Sequence, residues 1–318
     1  MSSSPQAGKL GRLTGWLDAM PHPAFVCEIA ASHVAVARWG RTRWSLEGYA
    51  VEPLPAGAVV PSPVEPNIVM TEPVLSALHR VLNRVPGPSQ EVAMLIPDPV
   101  VRVFILPFDT LPRRADEALP LLRWRLKKSV PFDVEETVVS WVRQATRDGG
   151  LEIVAAVARQ RIIREYESLL ESAGLSTGVV LSSTLAALPL LDSEGASLLA
   201  RMNGRSLTTV IVRGDNLCVY RSSEMPADPS VLEPQAVLDE IFPSVAYYQD
   251  IWGGRMDHAC LSGFGGREPL FQQAVRGELG CSVLSLAASE GTDIPGEVQA
   301  LLSKDLEGLV GWSMNRGA

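Results

Sequence analysis

Three short segments of this 318-residue chain carry the groups best suited to meeting an anion. In Glu28-Ile29-Ala30-Ala31-Ser32 the Glu28 carboxylate follows a strand-like run and is able to hold a Mg²⁺-bound water. In Gly204-Arg205-Ser206-Leu207-Thr208 the backbone and hydroxyl donors of Gly204, Ser206 and Thr208 are able to meet a phosphate, and Arg205 offers positive charge without a metal. Gly263, Gly265 and Gly266 precede a helical run that opens near Glu268, and a helix N-terminus favours negative charge. Each has a plainer reading that stays open at this level: a strand-end carboxylate, a hairpin turn with a surface arginine, and a strand-to-helix turn. No Walker A sequence or G-x-G-x-x-G after a strand is present, and the four histidines (His22, His33, His79, His258) lack partners at metal-ligand spacing.

The elements that position these turns are read from hydrophobic period. Phe25–Ile29 and Val34–Ala37 predict a hairpin closed by Ala30-Ala31-Ser32-His33, with a third strand near Leu46–Glu52. Val74, Leu75, Leu78, Val81, Leu82 and Val85 recur at helical spacing. Strands at Glu91–Ile96 and Val100–Leu106, a helix at 115–129, strands at Thr137–Arg143 and Leu151–Ala158, and a helix at 161–173 stopped by Gly174 compose a β-β-α-β-β-α unit. A second hairpin, Ser206–Arg213 with Leu217–Arg221, opens the last third, and helices are expected at 231–252, 268–279 and 296–314. Two halves that each open on a hairpin and later carry helices suggest internal duplication.

Composition bounds the function classes. Hydrophobic residues make up 46% and charged residues 20% of the chain, the balance of a folded α/β protein. The net charge of −8 argues against nucleic acid as a partner, since phosphate backbones need a clustered positive face. Cys27, Cys218, Cys260 and Cys281 show no C-x-x-C spacing, and the first three sit in apolar strand-like runs; reduced, buried thiols and a cytoplasmic location are expected. No stretch reaches the length of a spanning helix. Leu10, Leu13, Trp16, Leu17 and Met20 form a short apolar stripe, either packed on the domain or lying at a membrane surface. Arg123, Arg125, Lys127 and Lys128 around Trp124 read as a solvated face or as a patch toward a membrane or partner.

Several segments, taken in order, resemble the PilM family of type IV pilus assembly proteins and, more remotely, FtsA and other actin-like proteins. They are Gly48-Tyr49-Ala50-Val51-Glu52-Pro53-Leu54-Pro55, Ala93-Met94-Leu95-Ile96-Pro97-Asp98, Leu121 to Phe132, Glu240 to Tyr248, and Leu261-Ser262-Gly263-Phe264-Gly265-Gly266. The resemblance implies an α/β, actin-like duplicated RNase H-type fold with an inserted subdomain. The expected division is an N-terminal amphipathic segment 1–23, a first actin-like subdomain 24–90 and 179–200, the insert 91–178, and a second actin-like subdomain 201–318. It also implies nucleotide-binding positions at Glu28, Ser32, Gly204, Ser206, Thr208, Gly263, Gly265 and Gly266.

The sequence departs from that family at three places. Ala30 stands where a glycine is expected, and Met202 where an acid is expected. Only nine residues separate Arg221 from the helix near Val231, where a lid subdomain is usual. A degenerate site follows as the expectation: no catalysis, and ATP with Mg²⁺ bound weakly or not at all. The implied function is a scaffold at the cytoplasmic face of the inner membrane, held there by its partners. It would receive the cytoplasmic tail of a PilN-like membrane protein in a groove between the first subdomain and the insert, with Val74–Val85 and Glu91–Leu106 as the regions concerned. Other pilus inner-membrane components and self-association are further partner expectations. An active actin-fold ATPase or kinase, and a GspL-like component of type II secretion, are the alternatives.

Overall fold

The computed structural model describes residues 22–85, 87, 91–191, 195–286 and 294–314, so most of the expected N-terminal segment 1–23 lies outside the described residues. Strands β1 (Phe25–Ile29), β2 (His33–Trp39) and β3 (Leu46–Pro53) form an antiparallel meander. Helix α1 (Thr71–Arg84) then leads to β4 (Glu91–Ile96), which pairs in parallel with β1. Strand β5 (Arg102–Phe108), helix α2 (Ala115–Leu126), β6 (Thr137–Ala145), β7 (Leu151–Arg159) and helix α3 (Gln160–Ser172) follow. Strand β8 (Ser176–Ser182) returns to lie parallel to β4, giving a first sheet of order β3-β2-β1-β4-β8.

A short helix α4 (Ser183–Ala187) crosses to the second half, where β9 (Ala196–Asn203), β10 (Ser206–Arg213) and β11 (Asn216–Glu224) repeat the meander. Helix α5 (Pro234–Trp252), β12 (His258–Ser262), α6 (Glu268–Leu279) and β13 (Ser282–Leu284) complete a sheet of order β11-β10-β9-β12-β13. The two orders are the same pattern of three antiparallel strands followed by two parallel ones. The duplication is therefore real at the level of topology.

The insert is smaller than the sequence suggests. Strand β4 belongs to the first sheet, and Ile162, Tyr166, Leu169 and Leu170 of α3 share one apolar cluster with Cys27, Val34 and Met94 of that sheet. What remains between them is a three-stranded sheet, β5-β7-β6, covered on one face by α2 through Ala118, Leu122 and Leu126. Pro97 and Pro99 mark the true start of the insert; β4, apolar from Val92 to Ile96, reads from its sequence equally well as insert or as central strand. The boundary placed at residue 200 also moves, since β9 begins at Ala196 in the second sheet. The insert is tied to the second half by Gln144, whose side-chain amide donates to the Leu217 carbonyl (2.9 Å) and accepts from the Leu217 N–H (3.1 Å).

The expected single helix over 296–314 is two, α7 (Gly296–Leu302) and α8 (Glu307–Met314). Asp305 between them has φ 59°, a left-handed conformation that ends a right-handed helix. Helix α8 packs tightly on α4 in the core between the two sheets. A Cβ at Gly311 would stand 2.1 Å from the Ala186 carbonyl oxygen, so only glycine permits this approach. Gly311→Ala is expected to cost about 1–3 kcal/mol by forcing the helices apart. Gly277→Ala, on α6 with nothing within 4 Å, should be neutral or stabilising by up to about 1 kcal/mol. Urea unfolding of both variants separates the two cases.

Candidate functional site

The parallel strands of both sheets end at the cleft between the halves, and the polar groups there form one buried network. At its centre is Arg201 on β9, with 2% of its side chain exposed. Its guanidinium lies 3.2 Å from Glu307 on α8, 3.7 Å from Glu28 at the end of β1, and 3.8 Å from Asp98, which follows β4. Its Nη2 also donates to the Asp305 carbonyl at 3.2 Å, which gives the left-handed break between α7 and α8 a structural purpose. Asp98 accepts from the Thr184 N–H (3.0 Å) and hydroxyl (2.6 Å), from the Thr208 hydroxyl (3.1 Å) and from the Tyr220 hydroxyl (3.0 Å). Glu28 accepts from the Ser183 hydroxyl, while its second oxygen is buried with no hydrogen-bond partner among the described residues.

The charges hold each other. Burial alone would lower the Arg201 pKa, but Glu307, Glu28 and Asp98 outweigh it and hold the guanidinium above its ordinary value. Burial raises Glu307 despite Arg201 beside it, with Asp305 adding to the rise. Tyr220 is held well above its usual range, by burial first and then by the Asp98 charge.

Of the residues expected to bind a cofactor, Glu28 and Thr208 enter this network directly. Ser206 reaches its edge, 3.0 Å from Ser222, which itself lies 3.3 Å from Thr208. Gly263 joins through its N–H, which donates to the Asp305 carboxylate at 3.0 Å, and its φ of +81° with Met202 O 1.9 Å from any added Cβ requires glycine. Ser32 is exposed in the β1–β2 turn beside His33, and Gly204 occupies the β9–β10 turn with φ +60° and open space around it. Gly265 lines an adjoining pocket of about 440 Å³ with Ser262, Glu268, Asp305 and Glu307, and Gly266 stands exposed next to it.

Two readings of individual side chains change. Arg205 does not supply the cleft's positive charge: it donates to the Met225 carbonyl (3.0 and 3.2 Å) and pairs with Glu224 at the hairpin's outer end. Met202 is not at the anion position, because it lies in the apolar cluster with Leu207, Val237, Phe264 and Phe271. The neighbouring strand residue, Arg201, faces the cleft instead. Nothing in the neighbours of Asp98 and Glu307 marks them; a lone arginine between the apolar Leu198-Leu199-Ala200 and Met202 is the available signal for Arg201.

The residues present do not fit a Mg²⁺-nucleotide well. The carboxylates that would turn toward a cation already surround a guanidinium, and the adjoining pocket is acidic. Burial, with Asp305 and Glu307 nearby, lifts Glu268 to about 7. A carboxyl whose pKa is raised on folding contributes stability at low pH and loses it as pH rises through the folded value. Thermal stability should therefore fall between pH 5 and pH 8 more steeply in the unmodified chain than in Glu268→Gln, as differential scanning fluorimetry of the pair will show.

A second concave feature lies between the first sheet and the insert. Strand β8 is the end strand of its sheet and β6 the end strand of the insert's, and both line a groove of about 360 Å³. Residues 177–182 of β8 form one wall, Val138 and Ser140 of β6 the other, with Ala156 and Ile163 at the floor. Val138 is 44% exposed, and the Thr177 hydroxyl is buried without a partner among the described residues. Of the regions expected to form this groove, Ile96 and Val101 do line it; α1 instead buries Val74, Ala77, Leu78 and Val81 against the first sheet.

No protein-family model matches the chain. Among solved structures, a chain of a PilM-PilN type IV pilus biogenesis complex is similar with TM-score 0.74 at 16% identity, covering 94% of this chain and 100% of that one. The cytoplasmic domain of EpsL, an inner-membrane component of the Vibrio cholerae type II secretion system, is similar with TM-score 0.50 at 12% identity, over 88% of this chain and 93% of that one. With two sheets of identical order, a polar cleft between them and an insert after β4, the chain has the actin-like fold, in an arrangement shared with the PilM-PilN structure.

Proposed function

We propose that this protein is a PilM-like scaffold at the cytoplasmic face of the inner membrane that holds the extended cytoplasmic tail of a PilN-like membrane protein in the β8–β6 groove. One observation carries the reading: the end strands of two sheets, β8 and β6, flank the same apolar groove with no further strand paired to either among the described residues. An extended peptide recovers its backbone hydrogen bonds by adding to such an edge, and its alternate side chains enter the groove. The six groove-lining residues of β8 span about 20 Å, room for a tail segment of similar length. Likeness in fold to a structure of a PilM-PilN complex supports the choice of partner. Peripheral association with the inner membrane and contacts to other pilus inner-membrane components follow from that choice.

The test is calorimetric titration of the purified protein with a synthetic peptide of the partner's cytoplasmic tail. Micromolar binding is expected, and Val138→Asp, at an exposed position, should weaken it at least about tenfold, a loss of about 1.4 kcal/mol, without changing the melting temperature. Binding unaffected by that substitution would remove the groove from the reading. A preference for a type II secretion tail over a pilus tail would replace the pathway while keeping the mode.

In this reading the actin-like cleft serves as an internal strut. The Arg201 network joins the two halves through β1, the turn after β4, β9 and α8, and it uses the charges a nucleotide site would need free. Loss of hydrogen bonds to a charged ligand at about 1.5–3 kcal/mol each, with about 1.4 kcal/mol per tenfold, places Mg-ATP beyond the micromolar range. Titration with Mg-ATP should show no binding tighter than millimolar and no turnover. A micromolar constant that is abolished by Glu28→Gln would restore the nucleotide reading.

A further inference from the structure

Helix α2 faces the insert's sheet with Ala118, Leu122 and Leu126 and turns the opposite side outward. On that side Leu121 is 44% and Trp124 75% exposed, the latter the most exposed of the large apolar side chains described. Arg125 and Lys128 follow at helical spacing, Lys127 keeps helical dihedrals between them, and all three are exposed. The acids nearby are engaged elsewhere: Asp116 and Glu117 with Arg114, and Glu135 with Arg123. Arg125, Lys127 and Lys128 have no ion-pair partner among the described residues.

We infer that the outer face of α2 is a direct contact for the surface of an anionic lipid bilayer, with Trp124 and Leu121 at the headgroup boundary and Arg125, Lys127 and Lys128 among the phosphates. Charge complementarity selects this occupant. The chain as a whole carries −8, so an anionic surface repels most of it, and among the described residues this uncompensated basic face offsets that repulsion. The mixture of residues points the same way: tryptophan beside lysine and arginine is the composition of interfacial helices, whereas lysine is depleted from protein–protein interfaces. The contact uses α2 and the turn after it, and it would orient the insert toward the membrane.

The experiment is co-sedimentation of the full chain with vesicles of equal parts phosphatidylglycerol and phosphatidylcholine, and with phosphatidylcholine alone. Binding is expected only to the anionic vesicles and should be lost at high salt. Each basic side chain near such a surface contributes a factor of about five. The variant Arg125→Glu/Lys127→Glu/Lys128→Glu should therefore partition at least about a hundredfold more weakly with an unchanged melting temperature, and Trp124→Ala should also weaken binding. Equal binding by the unmodified chain and the triple variant, or no binding to either vesicle, overturns the inference and leaves the patch to an acidic protein surface.

Discussion

Arg201→Met is expected to cost about 3–5 kcal/mol, the range for removing one member of a buried charge pair. The loss comes less from broken attraction than from what stays behind. Glu28, Asp98 and Glu307 are each 2% exposed or less, and without the guanidinium they would be three carboxylates sharing one dry site. They would respond by taking up protons. The folded-state pKa of at least one must rise above its unfolded value, and a carboxyl raised in this way stabilises the fold at low pH and loses that contribution as pH increases. The deficit should thus be smallest near pH 5 and largest near pH 8. At about 2.1 cal/mol/K per residue, the drop in melting temperature is about 5–8 °C at neutral pH. Pairing the change with Glu307→Gln should recover part of the loss, and the double-mutant cycle reads the coupling. An Arg201→Met variant as stable as the parent at pH 8 would show that the cleft is wet and the strut unimportant.

Met202→Asp should fold poorly and gain no affinity for Mg-ATP. From sequence spacing the substitution looks restorative, since it puts back an acid at a position where the family carries one. The structure gives the opposite expectation. Met202 is 2% exposed in the apolar cluster with Leu207, Phe264 and Phe271. Removing its side chain costs about 2–5 kcal/mol, and an unpaired carboxylate in its place adds desolvation that no neighbour offsets. Denaturant titration measures the first effect and calorimetry with Mg-ATP the second. A well-folded variant that binds nucleotide would mean that this strand turns Met202, and not Arg201, toward the cleft.

Periodicity and turn residues account for much of this molecule. The α6 boundaries, Glu268–Leu279, are legible because Pro269 suits a first turn and Gly280, with φ +63°, a left-handed cap. Both hairpins are legible because β-rich runs flank short turns, but β9, which opens the second half and carries Arg201, is supplied only by the structure. Cys27, Cys218 and Cys260 are buried as their runs suggested, and burial pushes the Cys218 thiol up to about 12. These are local properties, carried by neighbours a few residues apart.

What the sequence did not decide was assignment across distance and across strand faces. An apolar strand such as β4 reads alike in an insert or in a central sheet, and only parallel pairing with β1 and β8 resolves it. Arg201, Asp98 and Glu307 lie on three elements far apart in the chain, and no spacing rule joins them. Most telling is the pair Arg201 and Met202. Successive strand residues point to opposite faces, so a shift of one residue exchanges the cleft for the core. The sequence supplied both side chains, and the packing of Phe264 and Phe271 under β9 decided which of them faced the acids.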